Sequence, residues 1–215
     1  MKPERFSITP QTDADGICQA QAASSGGIQL LTLNGALVTS GVATLNDADH
    51  IVTITSGANN SGITFTITGK DYRGYEYTEV VTGPNSNTVS SSNYYRSISS
   101  ISVSGDTTST VTVGVNGVSI SKVIPLDVYQ DSFRVGFNVE VPASPSPSLT
   151  YSVQHTSDDV QVKTNLNDLA WNNHDSINAK TGTEDGSYTI PVIAMRVSIT
   201  AYATGTMNVT VIQEG

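Results

Sequence analysis

The sequence predicts an all-β protein of two β-sandwich domains preceded by an extended N-terminal arm, and three observations carry that expectation. Ser and Thr occur 27 times each in 215 residues, about a quarter of the chain, while only 13% of the side chains are charged. Hydroxyl side chains compete for helical backbone groups and Thr is β-branched, so this composition suits the outer faces of strands better than helices. Apolar residues recur at every second position in several stretches, which puts one face of each strand in a core and the other in water. Clusters of Gly, Asn, Asp and Pro interrupt these stretches where hairpins need unusual or fixed φ angles.

Residues 1–27 contain Pro3, Pro10, the turn-like Thr12-Asp13-Ala14-Asp15-Gly16 and the polar run Gln19 to Gly27. Phe6, Ile8 and Ile17 are their only large apolar residues, too few to offset the entropy of ordering, so the segment reads as an arm. The first domain spans residues 28–118. Val52 and Ile54 alternate with Thr53 and Thr55; Ile63, Phe65 and Ile67 alternate with Thr64, Thr66 and Thr68; Val111, Val113 and Val115 alternate with Thr110, Thr112 and Gly114. Ile98, Ile101 and Val103 slip phase at Ser99-Ser100, which predicts a β-bulge. About seven short strands with frequent turns fit a sandwich, immunoglobulin-like or jelly-roll-like.

The second domain spans residues 119–215. Its clearest strand carries Phe133, Val135, Phe137, Val139 and Val141 on one face. Three prolines in Pro142 to Ser148 force a loop, and Leu149 to Val153 resumes the alternation. Val192 to Tyr202 and Met207 to Ile212, joined by Ala203-Thr204-Gly205-Thr206, read as a hairpin. Before them lies a long polar loop, residues 156–188, with a short helix expected around Leu166 to Trp171. Loops of that length usually carry function or lie against something.

Charge and cysteine content narrow the function classes. Ten Lys and Arg against nineteen Asp and Glu give a formal charge of -9, with no basic cluster, which disfavours nucleic acid and anionic membranes and favours neutral or basic partner surfaces. The single cysteine, Cys18, forms no internal disulfide. No stretch approaches the roughly 18 apolar residues of a membrane span and the start lacks an apolar leader, so a soluble, cytosolically made protein is expected.

Catalytic and metal chemistry find little purchase. His50 sits beside Asp47 and Asp49, His155 follows Val153 on the apolar phase, and His174 lies in Trp171-Asn172-Asn173-His174-Asp175; none has a partner at a ligand spacing, so hydrogen-bonded structural roles are expected. Asp13-Ala14-Asp15-Gly16 resembles the middle of a calcium loop, but Gln11 and Ala22 fall where acids belong, and a turn is the better reading. Asp158, Asp159, Asp168, Asp175 and Asp185 could include a carboxylate pair for glycoside hydrolysis, yet one tryptophan is a poor supply of stacking aromatics, and a solvated acidic loop is preferred. No nucleophile elbow, phosphate loop or dinucleotide fingerprint is present. Tyr72, Tyr75, Tyr77, Tyr94 and Tyr95 cluster in one hairpin region, either facing a sugar or protein partner or half-buried at a sandwich edge; the latter is preferred. No catalytic residue, cofactor or metal ligand is assigned, and the chain is not expected to be an enzyme.

A resemblance adds to this reading. Gly62 to Asp71, Tyr77 to Asn85, Tyr95 to Ile101 with Ser104-Gly105, then Tyr151 to Thr156, Trp171 to Asp175 and Pro191 to Val197, together resemble a β-module of auxiliary virion proteins in tailed bacteriophages. The resemblance spans roughly residues 60–213 and rests on strand and turn positions, so it transfers no site residue. It implies a capsid decoration or cement protein, a homotrimer that binds the major capsid protein in the virion after assembly in the host cytoplasm, with no nucleic-acid or membrane partner. The alternative it leaves open is a neck, tail or fibre protein that binds a cell-surface glycan.

Overall fold

The computed structural model describes residues 3–130, 132–144 and 146–214. Among them regular structure is almost all antiparallel strand, and the one helical element is a 3₁₀ turn at Leu166–Asp168 capped by the Asn165 side chain. The chain divides into two compact units. One is Gln11–Gly117; the other joins the residues up to Pro10 with those from Val118 onward. The first strand, β1 (Glu4–Ile8), belongs to the latter.

Unit 11–117 holds β2 (Thr12–Gln21), β3 (Gln29–Leu30), β4 (Val38–Thr39), β5 (Val42–Thr44), β6 (Asp49–Ser56), β7 (Thr64–Lys70), β8 (Glu76–Thr82), β9 (Thr88–Tyr95), β10 (Ser97–Val103) and β11 (Val111–Asn116). One sheet runs β4-β5-β10-β7-β8, with β3 also paired to β10. The other strands pair in the order β9-β6-β11-β2. Period-two alternation sends Phe65, Ile67, Ile98, Ile101 and Val103 inward from the first group and Ile17, Val52, Ile54, Val111 and Val113 from the second, into one core. Each such side chain contributes about 1.5–3 kcal/mol through burial. The phase slip at Ser99-Ser100 is a bulge: the β7–β10 register shifts between Ile98 and Ser100.

The residues read as an arm are built into sheets. Glu4–Ile8 pairs with the last strand and Thr12–Gln21 with β11. The reason is the quality of the anchors rather than their number: Ile8, Ile17 and Cys18 are completely buried. Asp13-Ala14-Asp15-Gly16, expected as a turn, lies within β2 as an irregular stretch: the register against β11 shifts between Asp13 and Cys18, and again between Cys18 and Gln21. Two glycines accept that arch. A Cβ on Gly114 would stand 1.9 Å from the Asp13 carbonyl oxygen, and one on Gly35 would stand 2.1 Å from the Gly16 backbone. Backbone cannot yield as a flexible side chain does, so Gly114→Ala is expected to destabilise this unit by about 3 kcal/mol or more. Chemical denaturation measures it; an unchanged midpoint would refute the close approach.

The other unit adds β12 (Ser119–Ile120), β13 (Ile124–Pro125), β14 (Val135–Glu140), β15 (Ser148–Thr156), β16 (Asn172–Asn173), β17 (Glu184–Tyr188), β18 (Ala194–Thr204) and β19 (Met207–Gln213). Its sheets are β1-β19-β14-β17 and β16-β15-β18-β12, with β13 also on β18. The predicted strand at 133–141 is β14, its buried face Val135, Phe137 and Val139. The predicted hairpin at 192–212 does not form: β18 pairs with β15 and β12, whereas β19 pairs with β14 and β1. Gly205, at φ 115, turns the chain from one sheet into the other. The 156–188 stretch is partly ordered into β16 and β17, and its 174–180 backbone bonds along β15 through Val153 and Tyr151.

Candidate functional site

Three features of the two units bear on function: a braced tyrosine corner, a hydroxyl-rich sheet face and an aromatic cleft. The corner lies where β6, β7 and β9 end. Asp49 at the start of β6 is buried, receives the Arg96 Nε–H at 2.8 Å and accepts the Tyr72 N–H at 3.2 Å. Burial pushes its carboxyl up to about 6 despite Arg96 and the Tyr72 amide. Asp71, also buried, accepts from the backbone of Arg73 and Tyr75 and pairs with the Arg73 guanidinium, which in turn lies over the Tyr75 ring. Tyr77 stacks on the fully buried Tyr95 with centroids 4.8 Å apart and donates to the Tyr94 carbonyl. Glu79 accepts from the Ser92 and Asn93 amides and the Tyr95 hydroxyl. Of the five tyrosines, only Tyr75 is exposed, so most of the cluster braces a hairpin end rather than offering a contact surface.

Each histidine has a distinct environment. His50 is fully buried; its Nδ1–H donates to the Ala48 carbonyl and its Nε2 accepts the Gln11 amide, a neutral tautomer fixed on both sides. Burial pulls its pKa down to about 4. His174 is likewise occupied, Nε2 at 3.2 Å from the Ser187 carbonyl and Nδ1 accepting the Ser176 amide. His155, expected to be hydrogen-bonded, is not: its Nδ1 is buried without a partner.

The outer face of the β10-β7-β8 sheet follows from the register. Ser102, Thr66 and Val80 form one row, continued by Leu30 on β3; Ser100, Thr68 and Thr78 form the next; Thr64 and Thr82 lie beyond. None of these nine side chains is charged, although the next row on the same face, Lys70 and Glu76, is; Leu30 and Val80 are 74% and 64% exposed. With strands about 4.8 Å apart and outward residues about 6.8 Å apart along each, the face covers roughly 300 Å².

The cleft lies in the other unit. β15 contributes His155, β17 contributes Ser187 and Tyr188, the chain after β16 contributes His174, Asp175 and Ser176, and Thr189 to Val192 close one side. Its volume is about 490 Å³, within the range of small-ligand sites. Tyr188 packs edge-on against His155 and His174, both with centroids 5.1 Å away, and Phe137 backs the group at 5.4 Å from Tyr188. The Tyr188 hydroxyl is buried and has no hydrogen-bond partner, and burial raises its pKa. His155 is held below its ordinary pKa by burial first and by neighbouring His174 second, with Asp175 opposing.

Of the five loop carboxylates, Asp175 alone lines this cleft. Asp158 and Asp159 accept the Ala170 and Gln161 amides, Asp168 sits in the 3₁₀ turn, and Asp185 binds the Asn138 amide. The sequence reading missed Tyr188 and Ile190 to Val192, whose short strand and loop end carry no spacing signal. Searched against family models and against curated proteins, the chain matches none.

Proposed function

We propose that the chain is a structural virion protein of a tailed bacteriophage, a capsid decoration protein that stabilises the head through repeated contacts with the major capsid protein. The observation that carries this reading is the Ser/Thr face bounded by Leu30 and Val80. Uncharged hydroxyls cost far less to dehydrate than ionised side chains and can re-pair across a contact, and isolated apolar residues gain by burial, which suits a flat contact with another protein. Its size sets the mechanism. Roughly 300 Å² is well under the about 800 Å² that each partner contributes to a stable interface, so one copy binds weakly. A homotrimer engaging several capsid subunits gains the missing affinity by effective concentration. In this reading each unit is a β-sandwich that serves as a rigid mount, the protein resides in the virion after assembly in the host cytoplasm, and it has no catalytic role.

Purified protein mixed with expanded capsids that lack it should cosediment at a copy number on the order of hundreds, against about three to twelve for a neck or tail component. Val80→Glu combined with Leu30→Glu should abolish capsid binding while leaving the fold intact. Monomeric protein that fails to bind such capsids would overturn the reading.

A further inference from the structure

We infer that the cleft between β15, β17 and the chain after β16 binds a single neutral pyranose residue of a glycan. The lining decides the class of ligand. Ser157, Ser176, Ser187 and Thr189 supply hydroxyls, Ile190, Pro191 and Val192 an apolar wall, and Tyr188 with the two imidazoles an aromatic one. An anionic ligand would meet the Asp175 carboxylate with no lysine or arginine in the lining. A purely apolar ligand would leave His155 and Tyr188 as unpaired as before. A metal ion finds no cluster of three His, Cys, Asp or Glu side chains among the described residues. A sugar ring, which alternates hydroxyls with C–H faces, matches hydroxyls, aromatic rings and apolar wall at once.

The two unpartnered atoms strengthen the assignment. Buried polar groups are nearly always paired, and here the His155 Nδ1 and the Tyr188 hydroxyl both lack a partner at the same cleft. Both atoms are closed to water as the side chains stand, so a sugar hydroxyl, which donates and accepts, can satisfy them only once a ring turns. His174 cannot serve, since both its nitrogens are held by Ser187 and Ser176. His155 is the movable member: only partly buried and with no hydrogen bond on Nδ1 to hold it, its ring can turn and bring the buried Nδ1 to the ligand beside Tyr188. This inference does not rest on the capsid reading, and either can fail alone.

Isotope-labelled protein titrated with glucose, galactose, mannose and N-acetylglucosamine tests it through the imidazole carbon and proton signals. At least one sugar should shift the His155 and His174 signals saturably, with a Kd near a millimolar, as one residue of a glycan gives. Tyr188→Phe keeps the ring packing and removes only the hydroxyl. It should weaken binding about tenfold while leaving the thermal midpoint equal or higher, because an unpaired buried group is gone. Glucuronate, carrying a carboxylate, should bind more weakly than glucose. The inference is overturned if none of the four sugars gives a saturable shift, if Tyr188→Phe binds as well as the parent, or if glucuronate binds best.

Discussion

Arg96→Ala is expected to cost the 11–117 unit about 3 kcal/mol at neutral pH, the largest effect of any exposed-to-partly-buried side chain in the tyrosine corner. The guanidinium pairs with Asp49, whose side chain is only 3% exposed, and Arg96 itself keeps 27% of its surface in water. Deleting the cation strands a buried carboxylate, while the water already on Arg96 keeps the loss toward the lower end of the 3–5 kcal/mol range for broken buried pairs. The second replacement separates the pair from its desolvation. Adding Asp49→Asn to Arg96→Ala should recover much of the loss, since no charge remains to be stranded. Cys18 provides the readout: it is fully buried in the same unit, and burial pushes its thiol up to about 12. Alkylation therefore follows opening of the unit. A loss under about 0.5 kcal/mol, or a double variant as weak as the single one, would show that the pair does not carry the corner.

The acid response of this unit should be nearly flat because two buried groups oppose each other. Asp49 titrates near 6 in the fold against an ordinary 3.8, so its contribution is full below 3.8 and is lost as pH rises through about 6. His50 titrates near 4 against an ordinary 6.5, so its contribution is full above 6.5 and is lost as pH falls through about 4. Each amounts to something on the order of 3 kcal/mol between pH 4 and 6.5, with opposite slopes. Asp49→Asn should therefore make the unit acid-labile relative to the parent, losing on the order of 3 kcal/mol over that window. His50→Gln should tilt the other way and gain stability on acidification. Denaturation midpoints from pH 4 to 7, taken as variant minus parent to cancel the surface carboxylates, decide the matter. Two variants with the parent's pH dependence would dismiss both buried titrations.

What could be read from the sequence is what period two encodes. Alternation at Ile63 to Ile67 and at Phe133 to Val141 names the buried face of a strand, and the phase slip at Ser99-Ser100 names the bulge. Alternation does not name a strand's neighbour. Val192 to Tyr202 and Met207 to Ile212 have the same pattern and a short connection, as a hairpin does, yet they face partners in different sheets. Apolar count also misjudged residues 1–27, because Ile8 and Ile17 gain from complete burial what the polar residues around them lack. The cleft was hidden for another reason. Its side chains come from positions 155, 174 and 188 on three chain segments, and only the pairing of β17 with β14 and the run of 174–180 along β15 bring them together. His155 was singled out, but nothing in its local sequence shows that it lacks a partner.

The pairing of β1 with β19 has a consequence for how the molecule is made. Glu4 lies opposite Val211, so the strand Glu4–Ile8 has its hydrogen-bonding partner synthesised some two hundred residues later. Residues 11–117 hold all the strands of their own unit and can close in the meantime, whereas the β19 edge that receives Glu4–Ile8 exists only once β19 has emerged. The long wait is cheap in equilibrium terms, because doubling a loop adds only about 0.6 kcal/mol to its closure. It is costly in time, since contacts of such high sequence separation form late. Docking of the N-terminal strand should thus be the last event of folding, and the slowest to recover after denaturation.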